Sequence, residues 1–95
     1  MKEFKIIIPA SHEHKLKEFE AHVIQVYGGF TRTIGAGAWR NIDHDVERET
    51  VWIYTVATDA KAVAQSLLAC WAAKLFDQDC IYLQHTSGNV QFVTP

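Results

Sequence analysis

Cysteine and proline are scarce in this sequence, with two of each in 95 residues. Cys70 and Cys80 are too few for a disulfide framework. A reducing compartment keeps them as thiols, expected as small buried hydrophobes. Excess charge of one sign is also missing. Nine Lys and Arg against eleven Asp and Glu leave a net charge of −2, and the pI is about 6.2. This balance excludes a basic surface that tracks phosphates, so no nucleic-acid partner is expected. No run approaches the roughly 20 apolar residues of a membrane span. The first residues, Met1-Lys2-Glu3-Phe4, carry an early acid and no apolar signal region, which gives a cytoplasmic expectation. Repeats, linkers and low-complexity tracts are absent, and the length does not hold a second core, so residues 1–95 form one domain. What is present, 48% apolar and 21% charged residues, is the composition of a soluble folded chain.

Phe4 to Ile8 is a β-branched run closed by Pro9 and predicts a first strand. Ser11 offers an N-cap, Glu13 sits in the first turn, and Leu16, Phe19, Val23 and Val26 recur at helical spacing. Gly28-Gly29 ends that helix. Phe30 to Ile42 is extended, and Gly35 and Gly37 within it point to a bulge or the close approach of another group. After a turn at Asp43-His44-Asp45, Val46 to Ala57 is a strand with Val51, Ile53 and Thr55 on one side and Trp52, Tyr54 and Val56 on the other. Thr58 is expected to cap a second helix from Asp59 to about Phe76. Gln78 to Gln84 and Val90 to Val93 then make a hairpin around Thr86-Ser87-Gly88-Asn89.

The order β-α-β-β-α-β plus a short final strand is the α+β, ferredoxin-like split βαβ plan, an antiparallel sheet with two helices on one face. Its other face is open. Val51 and Ile53 match the helix-facing core, which puts Trp52 and Tyr54 on the open face, a large apolar patch for a monomer of this size. Assembly through that face, as a homotrimer, is the expected remedy.

Several residues are candidates for chemistry. His14, Glu18 and His22 share a helix face opposite the apolar stripe, which reads as solvated surface, and no metal-binding motif accompanies them, so no metal is expected. Cys80 has only His85 nearby in the chain as a base. Gly35-Ala36-Gly37 lies inside an extended segment and is no dinucleotide fingerprint. Tyr27-Gly28-Gly29-Phe30-Thr31 places two flexible residues between two aromatics. It is either a plain helix-ending turn or a grip for a ligand ring. Glu47, Arg48 and Glu49 open the central strand near Arg40. They form either a surface ion-pair cluster or, with Glu47 and Glu49 on the Val51 side and so partly toward the core-facing edge, an acid turned into a cleft beside Trp39 or Tyr27.

Taken in order, Tyr27-Gly28-Gly29, Trp39-Arg40, Glu47-Arg48-Glu49-Thr50-Val51 and Gln78-Asp79-Cys80-Ile81 resemble the small phage S-adenosylmethionine (SAM) lyases, formerly called SAM hydrolases. The similarity spans roughly residues 21 to 84. It implies a trimer of ferredoxin-like subunits, similar to PII-type signalling proteins, with ligand sites between subunits. It also implies cleavage of SAM to 5'-methylthioadenosine and homoserine lactone with no cofactor and no metal. Carried over, the functional acid is Glu47 or Glu49, and Tyr27, Gly28, Gly29, Phe30, Thr31, Trp39 and Gln78 bind substrate. An aromatic hydroxyl is expected where Trp39 stands and is missing there; Tyr27 or Tyr54 is left to supply it. The alternatives are a phage protein that binds SAM or a nucleotide without turnover, or one that binds a host protein through the apolar sheet face.

Overall fold

In the computed structural model the backbone is described throughout, with every side chain except those of Ser11 and His12. The N-cap expected of Ser11 therefore lies outside the described residues. The elements are β1 (Lys2–Pro9), a 3₁₀ segment (Ala10–Lys15), α1 (Leu16–Tyr27), β2 (Thr31–Arg40), β3 (Val46–Thr58), α2 (Ala62–Leu75), β4 (Ile81–Gln84) and β5 (Val90–Val93). The sheet is antiparallel throughout, in the order β2-β3-β1-β4-β5. This is the ferredoxin-like plan, with β1 and β3 side by side at its centre.

The first helix begins as a tighter 3₁₀ segment and turns α-helical at Leu16. Leu16, Phe19 and Val23 are buried as their spacing requires, but Val26 is exposed. The stripe continues instead through Tyr27, one helical repeat beyond Val23, whose ring meets Phe4 edge-on at 5.4 Å. Gly28 closes the helix in the left-handed conformation (φ 88°), its N–H bonded to the Ile24 carbonyl. The second helix starts later than the sequence suggests. Thr58 Oγ1 accepts the Ala60 N–H in a turn, and the N-cap position falls to Lys61. Ala69, Ala72 and Ala73 are fully buried and let α2 lie close on the sheet.

One assignment is reversed. Tyr54 has no solvent exposure. Its ring meets Phe19 at 5.0 Å and Phe30 at 5.2 Å, both edge-on. Its hydroxyl donates to Glu20 Oε2 at 2.7 Å, and the same oxygen accepts from Arg32 Nη1 at 2.6 Å. Trp52 lies on the same side, half-buried against the core beneath the Arg32 guanidinium, which sits 4.5 Å over its ring. So Trp52 and Tyr54 face the helices, and Val51 and Ile53 face the open side. The cause is register. β1 pairs Phe4 with Val56, Ile6 with Tyr54 and Ile8 with Trp52, while Lys5 pairs with Thr55 and Ile7 with Ile53. The fully buried β1 residues Phe4, Ile6 and Ile8 carry Tyr54 inward with them.

Burial raises the Tyr54 phenol well above its ordinary value near 10, and the bond to Glu20 adds to the shift. Above pH 10 the unfolded chain gives up this proton while the folded chain keeps it. Stability therefore falls as pH rises beyond 10. In urea titrations, Tyr54→Phe is expected to cost about 1–2 kcal/mol at neutral pH and to flatten that alkaline decline. Tyr54→Asp is expected to prevent folding, whereas Ile53→Asp keeps a cooperative melt by circular dichroism.

Candidate functional site

The β2–β3 hairpin is longer than the strand beside it. β1 ends at Pro9, opposite Val51, but β2 and β3 stay paired for five further rungs, from Ala36–Thr50 to Arg40–Val46. This arm overhangs one end of the sheet. Its turn is built by Asn41, whose Oδ1 accepts the N–H groups of Asp43 (2.9 Å) and Asp45 (3.0 Å). His44 takes the left-handed conformation (φ 65°) that brings the chain back. The Asn41 Nδ2, left over, donates to Glu47 Oε1 at 3.2 Å.

Strand alternation places Glu47, Glu49 and Val51 on one side, and that side is the open face. Trp39 stands directly across from Glu47 and Gly37 across from Glu49. The Trp39 indole N–H donates to Glu49 Oε1. Neither glutamate forms an ion pair with Arg40 or Arg48 among the described residues; each is held by a neutral donor on β2 or its turn. The close approach predicted at the two glycines is present. A Cβ on Gly35 would stand 3.1 Å from Ile53 Cδ1, and one on Gly37 would stand 2.9 Å from the Trp39 ring.

Between this arm and the start of β4 runs a groove of about 580 Å³. Trp39, Arg40, Glu47 and Glu49 line one side, and Gln78, Asp79, Cys80, Tyr82 and Phe92 the other, with Ile7 and Pro9 also lining it. Gln78 reaches it through the end of α2. Asp77 is left-handed (φ 53°), and the N–H groups of Asp77 and Gln78 return to the carbonyls of Lys74 and Ala73. That is a Schellman closure, which turns the chain sharply toward the sheet. The Gln78 side-chain amide donates to the Phe76 carbonyl at 2.9 Å, leaving its oxygen for other partners. Tyr82 and Phe92 pack edge-on, 5.7 Å apart, as the aromatic wall. Three acids against one arginine give the groove a negative balance.

Four of the residues singled out from the sequence, Trp39, Glu47, Glu49 and Gln78, thus line one groove. The Tyr27-Gly28-Gly29-Phe30-Thr31 turn does not: Tyr27 and Phe30 pack into the helix-side core, and Thr31 is the opposite end of β2 from Trp39. Eight residues of strand, about 26 Å, separate them. Tyr54, a candidate hydroxyl, lies on the wrong side of the sheet. Tyr82, unforeseen, brings a phenol to the groove. Its signal was present in the sequence, two residues past Cys80 and alternating with the buried Ile81. His22 packs against Trp71 at 4.6 Å, and no cluster of three metal-ligating side chains occurs among the described residues. No helix is long and apolar enough to cross a membrane.

The chain is an α+β ferredoxin-like protein with an acidic, aromatic-walled groove on its uncovered sheet face. No family model and no curated protein matches its sequence. Two solved structures share its fold over nearly the whole chain. One is a phage SAM lyase in complex with S-methyl-5'-thioadenosine (TM-score 0.72, 12% identity), the other a phage SAM lyase in the apo state (TM-score 0.70, 11% identity). Each match covers 98% of this chain and 88% of the other. At this level of identity the likeness is one of fold.

Asn41 satisfies two backbone donors and steadies Glu47 at once. Asn41→Ala is expected to cost about 1–2 kcal/mol in chemical denaturation, whereas Asp43→Ala, which removes only an exposed carboxylate, is expected to change stability by less than about 0.5 kcal/mol.

Proposed function

We propose that this protein is a SAM lyase, cleaving SAM to 5'-methylthioadenosine and homoserine lactone. The observation that carries the reading is the groove itself. Two carboxylates side by side face an aromatic wall, in a fold shared with a phage SAM lyase bound to the methylthioadenosine product.

In the reaction the substrate's carboxylate oxygen attacks its own γ-carbon. The new C–O bond closes the lactone, the C–S bond breaks, and its electron pair stays on sulfur as a neutral thioether. Atoms and charge balance without a proton donor, a metal or an external nucleophile. The work of the protein is to fold the methionine arm so that carboxylate and γ-carbon meet in line, a contribution of about 7–11 kcal/mol when orientation is complete.

Charge decides where the glutamates help. The positive charge on sulfur disappears in the transition state, so an acid against the sulfonium stabilises the substrate more than the transition state. The α-ammonium keeps its charge throughout. Glu47 or Glu49 on that ammonium anchors the arm without opposing the reaction. Trp39, Tyr82 and Phe92 supply faces and edges for the adenine ring, Tyr82 contributes the hydroxyl that Trp39 lacks, and Gln78 offers a free amide oxygen.

The reading includes assembly. Ile7, Ile53, Tyr82 and Phe92, the last 59% exposed, form an apolar surface on the open face, and a trimer closed through that face buries it. The Tyr27–Thr31 turn contributes to a ligand site only across such a subunit boundary. In the host cytoplasm the activity removes the methyl donor on which restriction and modification depend.

Purified protein mixed with SAM is expected to release methylthioadenosine and homoserine lactone above the spontaneous rate, followed by liquid chromatography and mass spectrometry. Glu47→Gln or Glu49→Gln is expected to abolish release with the fold intact; full activity in both single variants removes the acids from the mechanism. Intact SAM that nevertheless binds in calorimetry makes the protein a binder without turnover. Ile53→Asp is expected to reduce the mass by light scattering from trimer to monomer, since the interface would bury an unpaired charge. An unchanged mass overturns the interface.

A further inference from the structure

Glu49 stands where the sheet gives it little support. β3 is paired on one side only beyond Val51, and a glutamate with three free torsions in such a place spreads over many orientations. Its carboxylate nevertheless has a dedicated donor, the Trp39 indole N–H, which reaches it diagonally across the hairpin. The lane for that ring is opened by Gly37, the direct cross-strand partner of Glu49. A Cβ there would lie 2.9 Å from Trp39 Cζ2, 3.2 Å from Cε2 and 3.3 Å from Nε1. Any side chain at position 37 therefore displaces the indole from the carboxylate.

We propose that Trp39 is the positioning residue for Glu49 and that Gly37 provides its seat. This rests on reading the groove as the SAM-cleaving site. An indole donates and never accepts, so it binds only the carboxylate and makes no competing bond of its own. It engages Oε1 and leaves Oε2 for the substrate ammonium.

Trp39→Phe keeps an aromatic ring and removes the donor. With SAM as substrate, kcat is expected to fall roughly tenfold or more, as when a hydrogen bond to a charged group is lost, while KM changes by less than kcat. The second readout needs no turnover. The protein has three tryptophans, hence three indole N–H signals in a ¹H–¹⁵N NMR spectrum, and Trp39→Phe identifies one of them. That signal is expected to move in Glu49→Gln and in Gly37→Ala, and to stay in Glu47→Gln. Wild-type kcat in Trp39→Phe, or an indole signal indifferent to Glu49→Gln, overturns the proposal. Should Gly37→Ala fail to fold, Trp39→Phe and Glu49→Gln decide it. If the wild-type protein leaves SAM intact, the lyase reading falls, and the indole signal still decides whether Trp39 holds Glu49.

Discussion

The contact on which the rest of the structure depends is the burial of Tyr54 against Phe19, with the phenol bonded to Glu20. It joins the central strand to the first helix through a ring contact and a charged hydrogen bond. It also draws Arg32 from the edge strand onto the same carboxylate. Because side chains alternate along a strand, orienting Tyr54 orients all of β3. Once Tyr54 points to the helices, Val51, Glu49 and Glu47 have to point the other way.

That opposition places polar groups where they can act. On the open face, beyond the end of β1, the two carboxylates stay hydrated and are met by Asn41 and Trp39. The overhanging arm and the Schellman closure of α2 then bring residues about 30 or more positions apart to the two sides of one groove. The groove is a consequence of unequal strand lengths: β2 and β3 run on where β1 stops.

Most of the fold was legible. Element order, the glycine closure of α1, the hairpin at Gly88 and the crowding at Gly35 and Gly37 follow from periodicity and turn chemistry, which act over a few residues. Helix starts were less legible: Thr58 spends its hydroxyl on a preceding turn, an option a cap residue always has. Val26 obeys helical spacing yet faces water, since the covered stripe passes from Val23 to Tyr27, one turn on, and leaves Val26 to its side. Of the candidate site, Trp39, Glu47, Glu49 and Gln78 were readable from their grouping and from the resemblance. Tyr82 was missed because it reads as an ordinary strand residue beside Ile81. Its place in the groove depends on β4 lying next to β1.

The sequence by itself determined which residues share a face. Glu47, Glu49, Val51 and Ile53 stand together, and Trp52, Tyr54 and Val56 stand together, because the period of a strand is two whatever surrounds it. Only the tertiary structure decided which set meets the helices. β3 is apolar on both sides, so its own pattern does not discriminate. The choice came from the register with β1, where Phe4, Ile6 and Ile8 outweigh Lys5 and Ile7, and from Glu20 on α1, which gives the buried phenol an acceptor. Partners of that kind lie far away in sequence and become neighbours only on folding.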